Sequence, residues 1–262
     1  MPEINLIGMI HLGMKTIVQN LAIEYQDTGV GPVMLFLHGW QDDLHTFDAL
    51  LPLLPATRRM IRVDLPGFGV SEKPKESWDL DDYARFVRDF VQKLDVPVDV
   101  LIGHSFGGRI AIKAGAEKYL ESRKIILIAS AGVAKRNTMG AAMIRMAAKA
   151  GKIVISIPPL IFWKEKLKAR FYRSIGSDYA NAGALKGTFL KIIAEDLSTS
   201  AQKIQTPTLL IWGSRDRETP LSEGQRLAQL ISRSDLKVIE GAGHFVHREK
   251  PQEVAEFIQK TY

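Results

Sequence analysis

The sequence predicts an α/β fold with a mostly parallel, eight-stranded sheet flanked by helices, and a helical cap inserted after the sixth strand. Three observations predict it: short apolar runs typical of strands recur along the chain, helical patterns lie between them, and this alternation stops in one long segment. Strands that alternate with helices form mostly parallel sheets with helices on both faces. A chain of 262 residues is long enough for such a domain with an insertion.

Eight runs have the composition of strands. The first two alternate apolar and polar residues between turn residues, which is typical of an antiparallel hairpin at a sheet edge. The later runs are nearly continuous apolar stretches, as expected for parallel strands buried on both faces. The predicted strands are 16–18, 22–25, 33–37, 60–63, 98–102, 124–128, 208–212 and 236–239.

Two helical patterns between and after these strands are clear. Residues 79–94 open with acidic side chains and repeat apolar residues at helical spacing along one face. Residues 251–260 begin with proline and carry a lysine near the end, as helix termini prefer. Both stretches therefore predict helices.

After the sixth predicted strand the alternation stops. Two stretches, about 139–149 and 163–174, have helical patterns, and no convincing strand follows until the seventh run. Long connections in compact domains are usually lids or binding segments. The sequence therefore predicts a core domain made of residues 1–133 and 206–262 and a helical cap made of residues 134–205. An elongated surface connection is the alternative.

The positive charge of the chain is concentrated in this predicted cap. The whole chain has a net charge of +6, whereas residues 135–200 contain 12 Lys and Arg against 4 Asp and Glu, a net charge of +8. Such a segment suits an anionic substrate or anionic lipid headgroups. Basic residues on helices are, however, more often a solvated face. Both interpretations stay open at this point.

Composition also excludes several classes of protein and site. The chain has no cysteine, so a disulfide framework, a thiolate nucleophile and a cysteine metal site are excluded. The longest apolar stretch, 153–163, is too short to span a bilayer and contains a Pro-Pro break, and no signal peptide is recognised. We expect a cytoplasmic monomer or homodimer without stable membrane insertion, with no cofactor and no metal. No aromatic-basic module indicates nucleic-acid binding.

Ser105 lies in the sequence GHSFG, between an apolar strand and a helix. The pattern G-x-S-x-G at such a corner is typical of a nucleophile held out above a sheet edge. Glycines on both sides suit a tight corner, and the neighbouring N–H groups at the helix N-terminus favour a developing negative charge. An ordinary turn serine is the alternative interpretation.

A serine nucleophile needs a base and an acid that orients the base. His244 follows the eighth predicted strand and is the candidate base, whereas His247 is weaker because it approaches the last helix. Asp216 follows the seventh strand and is the candidate acid, with Glu218 as the fallback. The turn after residues 124–128 contains no acid, which favours Asp216. The two histidines have no apparent third ligand, so they do not predict a metal site.

An oxyanion hole needs two N–H donors. Phe106 follows the nucleophile directly and supplies one of them. Trp40 ends the sequence HGW after a buried strand, and its N–H is the candidate for the second.

In these motifs the chain resembles the α/β-hydrolase fold superfamily, in its serine hydrolase branch with a helical cap. The resemblance implies the fold, a triad of Ser105, Asp216 and His244, and an oxyanion hole from Trp40 and Phe106. It does not specify the substrate. The matching motifs are HGW (38–40), DLPGFGVSEKP (64–74), GHSFGG (103–108), WGSRD (212–216) and GAGHFVHREKP (241–251).

Serine at the nucleophile position implies hydrolysis of a carboxylic ester through an acyl-enzyme, because relatives that open epoxides or displace halide have aspartate there. We therefore predict a carboxylesterase-like enzyme acting on a small-molecule ester or other acyl substrate. The sequences GHSFGGR, ending at Arg109, and HRE, after His244, also resemble a menaquinone-pathway lyase branch that eliminates pyruvate from an anionic substrate. Carbon–carbon bond hydrolases of anionic ring-fission products are a further alternative. A non-catalytic ligand-binding protein is the least favoured, because every expected site residue is present.

Overall fold

The structure is a computed structural model that describes residues 13–133 and 182–261. Eight strands form one sheet in the order β1-β2-β4-β3-β5-β6-β7-β8, which confirms the predicted fold class. The β1–β2 and β2–β4 pairs are antiparallel, and every other neighbouring pair is parallel. The strands are β1 (Met14–Val18), β2 (Leu21–Thr28), β3 (Val33–Leu37), β4 (Arg59–Val63), β5 (Val98–His104), β6 (Lys124–Ile128), β7 (Thr208–Gly213) and β8 (Ser234–Ile239).

Helices lie between and after the parallel strands, and the two helices predicted at 79–94 and 251–260 are confirmed. No helix in the described part of the chain has both the length and the apolar composition of a membrane span. The helices are α1 (Leu80–Leu94), α2 (Phe106–Ala116), α3 (Lys186–Ala194), α4 (Ser198–Lys203), α5 (Leu221–Leu230), α6 (Val246–Glu249) and α7 (Pro251–Gln259), with 3₁₀ turns at Leu44–Phe47, Leu51–Leu53 and Gly183–Leu185.

The sheet separates two apolar layers. Successive side chains of a strand point to opposite faces, so β5 contributes Leu101 to one layer and Ile102 to the other. The first layer packs against α1, α2, α4 and α5, and the second against α6 and α7. Burial of apolar surface on both faces is the main stabilising contribution of such a fold, and it holds the strand ends in fixed positions.

The predicted cap is described only in part. Residues 134–181, with the helical stretches predicted at 139–149 and 163–174, lie outside the described residues. Residues 182–205 form a 3₁₀ turn followed by α3 and α4, and Leu197 and Ala201 are buried in the same apolar layer as α2. The division of the chain into a core and a cap therefore stays a prediction.

Helix α1 begins with a reciprocal pair of hydrogen bonds. The Asp79 carboxylate accepts the Asp82 N–H at 3.0 Å, and the Asp82 carboxylate accepts the Asp79 N–H at 2.9 Å. The two bonds satisfy N–H groups that have no partner inside the helix. They fix the start of the helix that packs against α2 and the β1–β2 hairpin.

We expect Asp79→Ala to lower the free energy of unfolding by about 1 kcal/mol, because it removes this N-cap. The measurement is urea unfolding followed by circular dichroism, with the exposed neighbour Glu76→Ala as the control. Equal stability of the two variants would show that the Asp79 cap contributes nothing.

Candidate active site

The three residues predicted to form a triad follow three different strands at the same edge of the sheet. Ser105 follows β5, Asp216 lies three residues after β7, and His244 lies five residues after β8. These strands are parallel, so their carboxyl ends meet at one edge, where α/β proteins place their ligand sites. Asp216 and His244 are in direct contact, as described below.

Ser105 has a strained backbone at the corner between β5 and α2. Its φ of 50° and ψ of −108° lie outside the regions that non-glycine residues favour. The Ser105 N–H donates to the Ile128 carbonyl at 3.0 Å, and the Ser105 carbonyl accepts the Arg109 N–H at 3.2 Å. Backbone strain of this kind persists only where neighbouring structure holds it, and it is concentrated at functional sites.

Two glycines allow the strand and the helix to meet this closely. A Cβ on Gly103 would overlap the Gly107 carbonyl, and a Cβ on Gly107 would overlap the Leu37 carbonyl at the end of β3. No side chain fits at either position without movement of the backbone. The glycine spacing around Ser105 is therefore required by packing between β3, β5 and α2.

His244 and Asp216 form a buried hydrogen-bonded pair. His244 Nδ1 lies 2.9 Å from Asp216 Oδ2, and the two residues are 8% and 6% exposed. The other carboxylate oxygen of Asp216 accepts the N–H groups of Glu218 and Thr219, both at 2.9 Å. Because a carboxylate accepts and does not donate, Nδ1 carries a proton, and in the neutral ring Nε2 then has the lone pair. His244 thus has the tautomer that a general base requires.

The same contacts keep Asp216 ionised. Burial by itself raises the pKa of a carboxyl group, but the hydrogen bonds from His244 and Thr219 outweigh it, and the pKa of Asp216 lies below its ordinary value. A negative charge on Asp216 is therefore present at neutral pH, where it stabilises a proton on the His244 ring.

Thr219 belongs to this site, although sequence reasoning missed it. Its hydroxyl lies 2.8 Å from Asp216 Oδ2, 3.0 Å from the Ala129 carbonyl and 3.2 Å from His244 Nδ1. It therefore connects the Asp216 turn to the end of β6. The available signal was the D-x-x-T spacing, because an aspartate side chain commonly bonds the N–H groups two and three residues later.

The two fallback residues lie in other positions. Glu218 Oε2 is 3.5 Å from the Nε2 atom of His244, on the side of the ring away from Asp216, and its side chain is 62% exposed. His247 is fully buried, and its Nε2 lies 3.0 Å from the hydroxyl of Thr46. Burial, with a smaller contribution from nearby Arg248, lowers the pKa of His247 to about 3. His247 is therefore neutral and faces away from Asp216.

Trp40 and Phe106, the predicted oxyanion-hole residues, lie beside each other at the corner. Their rings pack edge to face with centroids 5.5 Å apart. A Cβ on Gly39 would lie 3.6 Å from the Ser105 Cβ, so the turn before Trp40 contacts the nucleophile corner. His38 holds this turn: its Nδ1 donates to the Gly39 carbonyl at 2.8 Å. Phe106 is the first residue of α2, where N–H groups have no acceptor inside the helix.

A cavity of about 290 Å³ opens next to Trp40. Its aromatic wall comes from Trp40 and Phe68, whose ring centroids are 4.8 Å apart. Two carboxylates, Asp42 and Asp43, also line it. This cavity thus combines aromatic and acidic groups, and it adjoins the candidate site through Trp40. The full set of lining residues is Trp40, Gln41, Asp42, Asp43, Gly67, Phe68, Gly69, Ala182 and Leu185.

Arg109 is buried and bonds the main chain of another segment. Its Nη2 donates to the carbonyl oxygens of Ile192 and Glu195, at 2.5 and 2.7 Å. Burial lowers the pKa of Arg109 to about 10, so the guanidinium remains cationic at neutral pH. These carbonyls lie at the end of α3, where i+4 partners are missing, and the Ile192 carbonyl also accepts the Glu195 N–H at 3.3 Å.

The described residues offer no grouping of three His, Asp or Glu side chains that could hold a metal ion. The polar groups of the site are instead arranged as a donor–acceptor chain from Thr219 and Asp216 to the His244 ring. Such a chain orients the His244 ring and stabilises a proton on it.

We expect Gly107→Ala to lower the free energy of unfolding by about 3 kcal/mol, because its new methyl group overlaps the Leu37 carbonyl. Gly115→Ala, in the same helix, is the control: its Cβ would meet the end of the Ile125 side chain at 2.8 Å, which can rotate away. Urea unfolding of both variants tests this, and equal destabilisation would contradict the close packing at Gly107.

Comparison with known proteins identifies the family. The sequence model of the alpha/beta hydrolase family matches residues 34–257. The uncharacterized hydrolase YugF of Bacillus subtilis is 28% identical over 250 residues, which cover 90% of this chain and 91% of YugF. Human monoacylglycerol lipase ABHD6 is 24% identical over 253 residues, covering 88% of this chain and 75% of its own. The crystal structure of a membrane phospholipase A, described as a bacterial virulence factor, matches with a TM-score of 0.68 and 26% identity, covering 95% of this chain and 84% of that one. The chain belongs to the alpha/beta hydrolase family.

Proposed function

We propose that the protein is a serine hydrolase that cleaves a carboxylic ester through an acyl-enzyme. Ser105 is the nucleophile, His244 the general base and Asp216 the acid that orients it. The observation that carries the proposal is the 2.9 Å hydrogen bond between His244 Nδ1 and Asp216 Oδ2, which leaves His244 Nε2 free of a proton. The strained backbone of Ser105, at the same sheet edge, supports the assignment.

In the first half of the reaction, the Ser105 oxygen attacks the ester carbonyl carbon while its proton moves to His244 Nε2. The negative charge moves to the carbonyl oxygen, where the N–H groups of Trp40 and Phe106 stabilise it. The carbon–oxygen bond to the alcohol then breaks, and the proton on Nε2 passes to the leaving alkoxide. The products of this half are a free alcohol and acylated Ser105.

Water completes the reaction. His244 Nε2 takes a proton from a water molecule, and the hydroxide adds to the acyl carbon. When the tetrahedral intermediate collapses, the bond to the Ser105 oxygen breaks and the proton returns to that oxygen. Asp216 stays ionised throughout because its pKa is lowered, and its negative charge stabilises the protonated His244 ring.

The position of Arg109 favours a neutral ester over the anionic substrate of the lyase alternative. A substrate carboxylate would need a cationic partner, and Arg109 is not available as one, because the residue is 7% exposed and its guanidinium bonds the carbonyls of Ile192 and Glu195. Asp42 and Asp43 at the cavity beside Trp40 repel an anion. The names of the relatives, a monoacylglycerol lipase and a phospholipase A, support an acyl ester as the substrate.

The nucleophile is tested with a fluorophosphonate probe, which forms a covalent bond with an activated serine. We expect mass spectrometry to find the adduct on Ser105, and Ser105→Ala to fold but to lose both the label and the turnover of p-nitrophenyl esters. Absence of the label from folded wild-type protein would favour a non-catalytic binding protein.

We expect Asp216→Asn to lower kcat on p-nitrophenyl esters by about 10⁴-fold, because an amide at this position stabilises the wrong tautomer of His244. Glu218→Gln is the comparison variant and should lose much less kcat, because the Glu218 side chain is 62% exposed and does not bind the Nδ1 proton that sets the tautomer. A larger loss in Glu218→Gln than in Asp216→Asn would reverse the assignment of the acid.

We expect Arg109→Lys to lower kcat/KM by the same factor for a neutral ester and for an ester carrying extra carboxylates. The reason is that Arg109 stabilises the protein main chain and has no contact with the substrate. The two substrates are compared at matched acyl length. A loss confined to the anionic ester would contradict this and favour the alternative in which Arg109 binds an anionic substrate.

A further inference from the structure

His104, the last residue of β5, lies directly before Ser105 and below the segment that carries His244. Side chains alternate along a strand, so His104 lies on the same face as Ile102, in the layer covered by α6 and α7. Its side chain is buried, with 1% of the residue exposed. The reaction described above gives this imidazole no role.

His104 makes one hydrogen bond to the backbone of His244. Its Nε2 lies 3.1 Å from the His244 carbonyl oxygen. A carbonyl oxygen only accepts, so Nε2 carries the proton and donates it. The other nitrogen, Nδ1, is buried without a hydrogen-bond partner, and a Cβ on Gly39 would lie 3.0 Å from it. Burial of an unpartnered nitrogen is unfavourable, and an apolar ring would avoid it.

The His104 ring also lies against the His244 ring, with centroids 4.8 Å apart. Burial, followed by the neighbouring His247 and His244, lowers the pKa of His104 well below its ordinary value, so the ring is neutral. A cation at this place would oppose protonation of His244. A neutral ring allows His244 to take the proton of Ser105.

We propose that His104 is a positioning residue: its hydrogen bond fixes the His244 backbone relative to β5, and therefore fixes the distance between the His244 ring and Ser105. This inference rests on the proposed function of Ser105 and His244.

Among the contacts that hold the His244 segment, three act at different points. Asp216 holds the side chain, and the Glu249 carboxylate accepts the Gly243 N–H at 2.8 Å. His104 holds the carbonyl, and it belongs to the strand that ends at Ser105. The His104 side chain thus connects the backbone of His244 to the peptide bond between His104 and Ser105.

His104→Phe and His104→Gln separate the hydrogen bond from the packing. Phenylalanine keeps a ring of similar size but has no donor, whereas the glutamine amide keeps a donor of similar reach. His247→Phe is the matched control, because His247 is equally buried and lies 4.4 Å from the His104 ring but bonds Thr46 instead of the His244 carbonyl.

The first measurement is the rate constant of fluorophosphonate labelling at Ser105. It is divided by the concentration of reactive sites from active-site titration, which corrects for unfolded protein. We expect a loss on the order of 10²-fold in His104→Phe, with little change in KM for a p-nitrophenyl ester, because a small misplacement of a catalytic group has this effect. His104→Gln should recover most of the rate, and His247→Phe should lose thermal stability but keep the rate per site. An unchanged rate in His104→Phe, or an equal loss in His247→Phe, would overturn the proposal.

The second measurement does not depend on turnover. In ¹⁵N-histidine NMR spectra, the Nδ1–H signal of His244 reports its bond to Asp216. We expect this signal to shift or broaden in His104→Phe and to return in His104→Gln; an unchanged signal would overturn the positioning role. If wild-type Ser105 is not labelled, the proposed function fails, and these spectra still decide whether His104 positions His244.

Discussion

The close passage of the loop after β8 across the end of β7 is the constraint on which the site depends. A Cβ on Gly213 would overlap the carbonyl oxygens of Ala242 and Gly243, so the loop lies directly on the β7 backbone. From there it reaches the turn that carries Asp216 and the end of β5. His244 follows β8, the outermost strand, whereas Ser105 follows the central strand β5. The loop must therefore cross the ends of β7 and β6 to bring His244 toward Ser105. The site thus depends on a backbone contact that only glycine permits.

Strain at Ser105 is maintained by the same packing. A non-glycine residue at this backbone conformation costs about 1–3 kcal/mol, which is small beside the burial of two apolar layers. The sheet and α2 hold the corner from both sides, through the bonds of Ser105 to Ile128 and Arg109. Packing of the core therefore maintains the strained backbone of Ser105, which holds its hydroxyl group at the surface of the site. A change that loosens α2 acts on Ser105 even where it touches no substrate.

The sequence predicted the sheet and the pair of Asp216 and His244 because these features have local signals. Parallel strands are continuous apolar runs, and residues that follow them meet at one edge. Thr219 and His104 could not be assigned in the same way, since a turn threonine and a histidine before the nucleophile have many possible partners. Their partners are fixed by the path of distant loops. The sequence pointed to Arg109 only through the resemblance of GHSFGGR to a lyase branch, and the partners of Arg109 are main-chain carbonyls 83 and 86 residues away, which no pattern reveals.

The short sequence from His104 to Arg109 therefore contains three residues with separate structural roles. His104 bonds the segment of His244, Ser105 lies at the corner, and Arg109 bonds the end of α3. Helix α3 lies within the segment predicted as the cap, so Arg109 connects that segment to the helix that begins beside Ser105. The guanidinium is buried and cationic, and removing its carbonyl partners would cost the two charge-assisted hydrogen bonds that its Nη2 donates. Movement of the end of α3 is therefore unfavourable unless Arg109 moves with it, and any such movement acts on α2 one turn after Ser105.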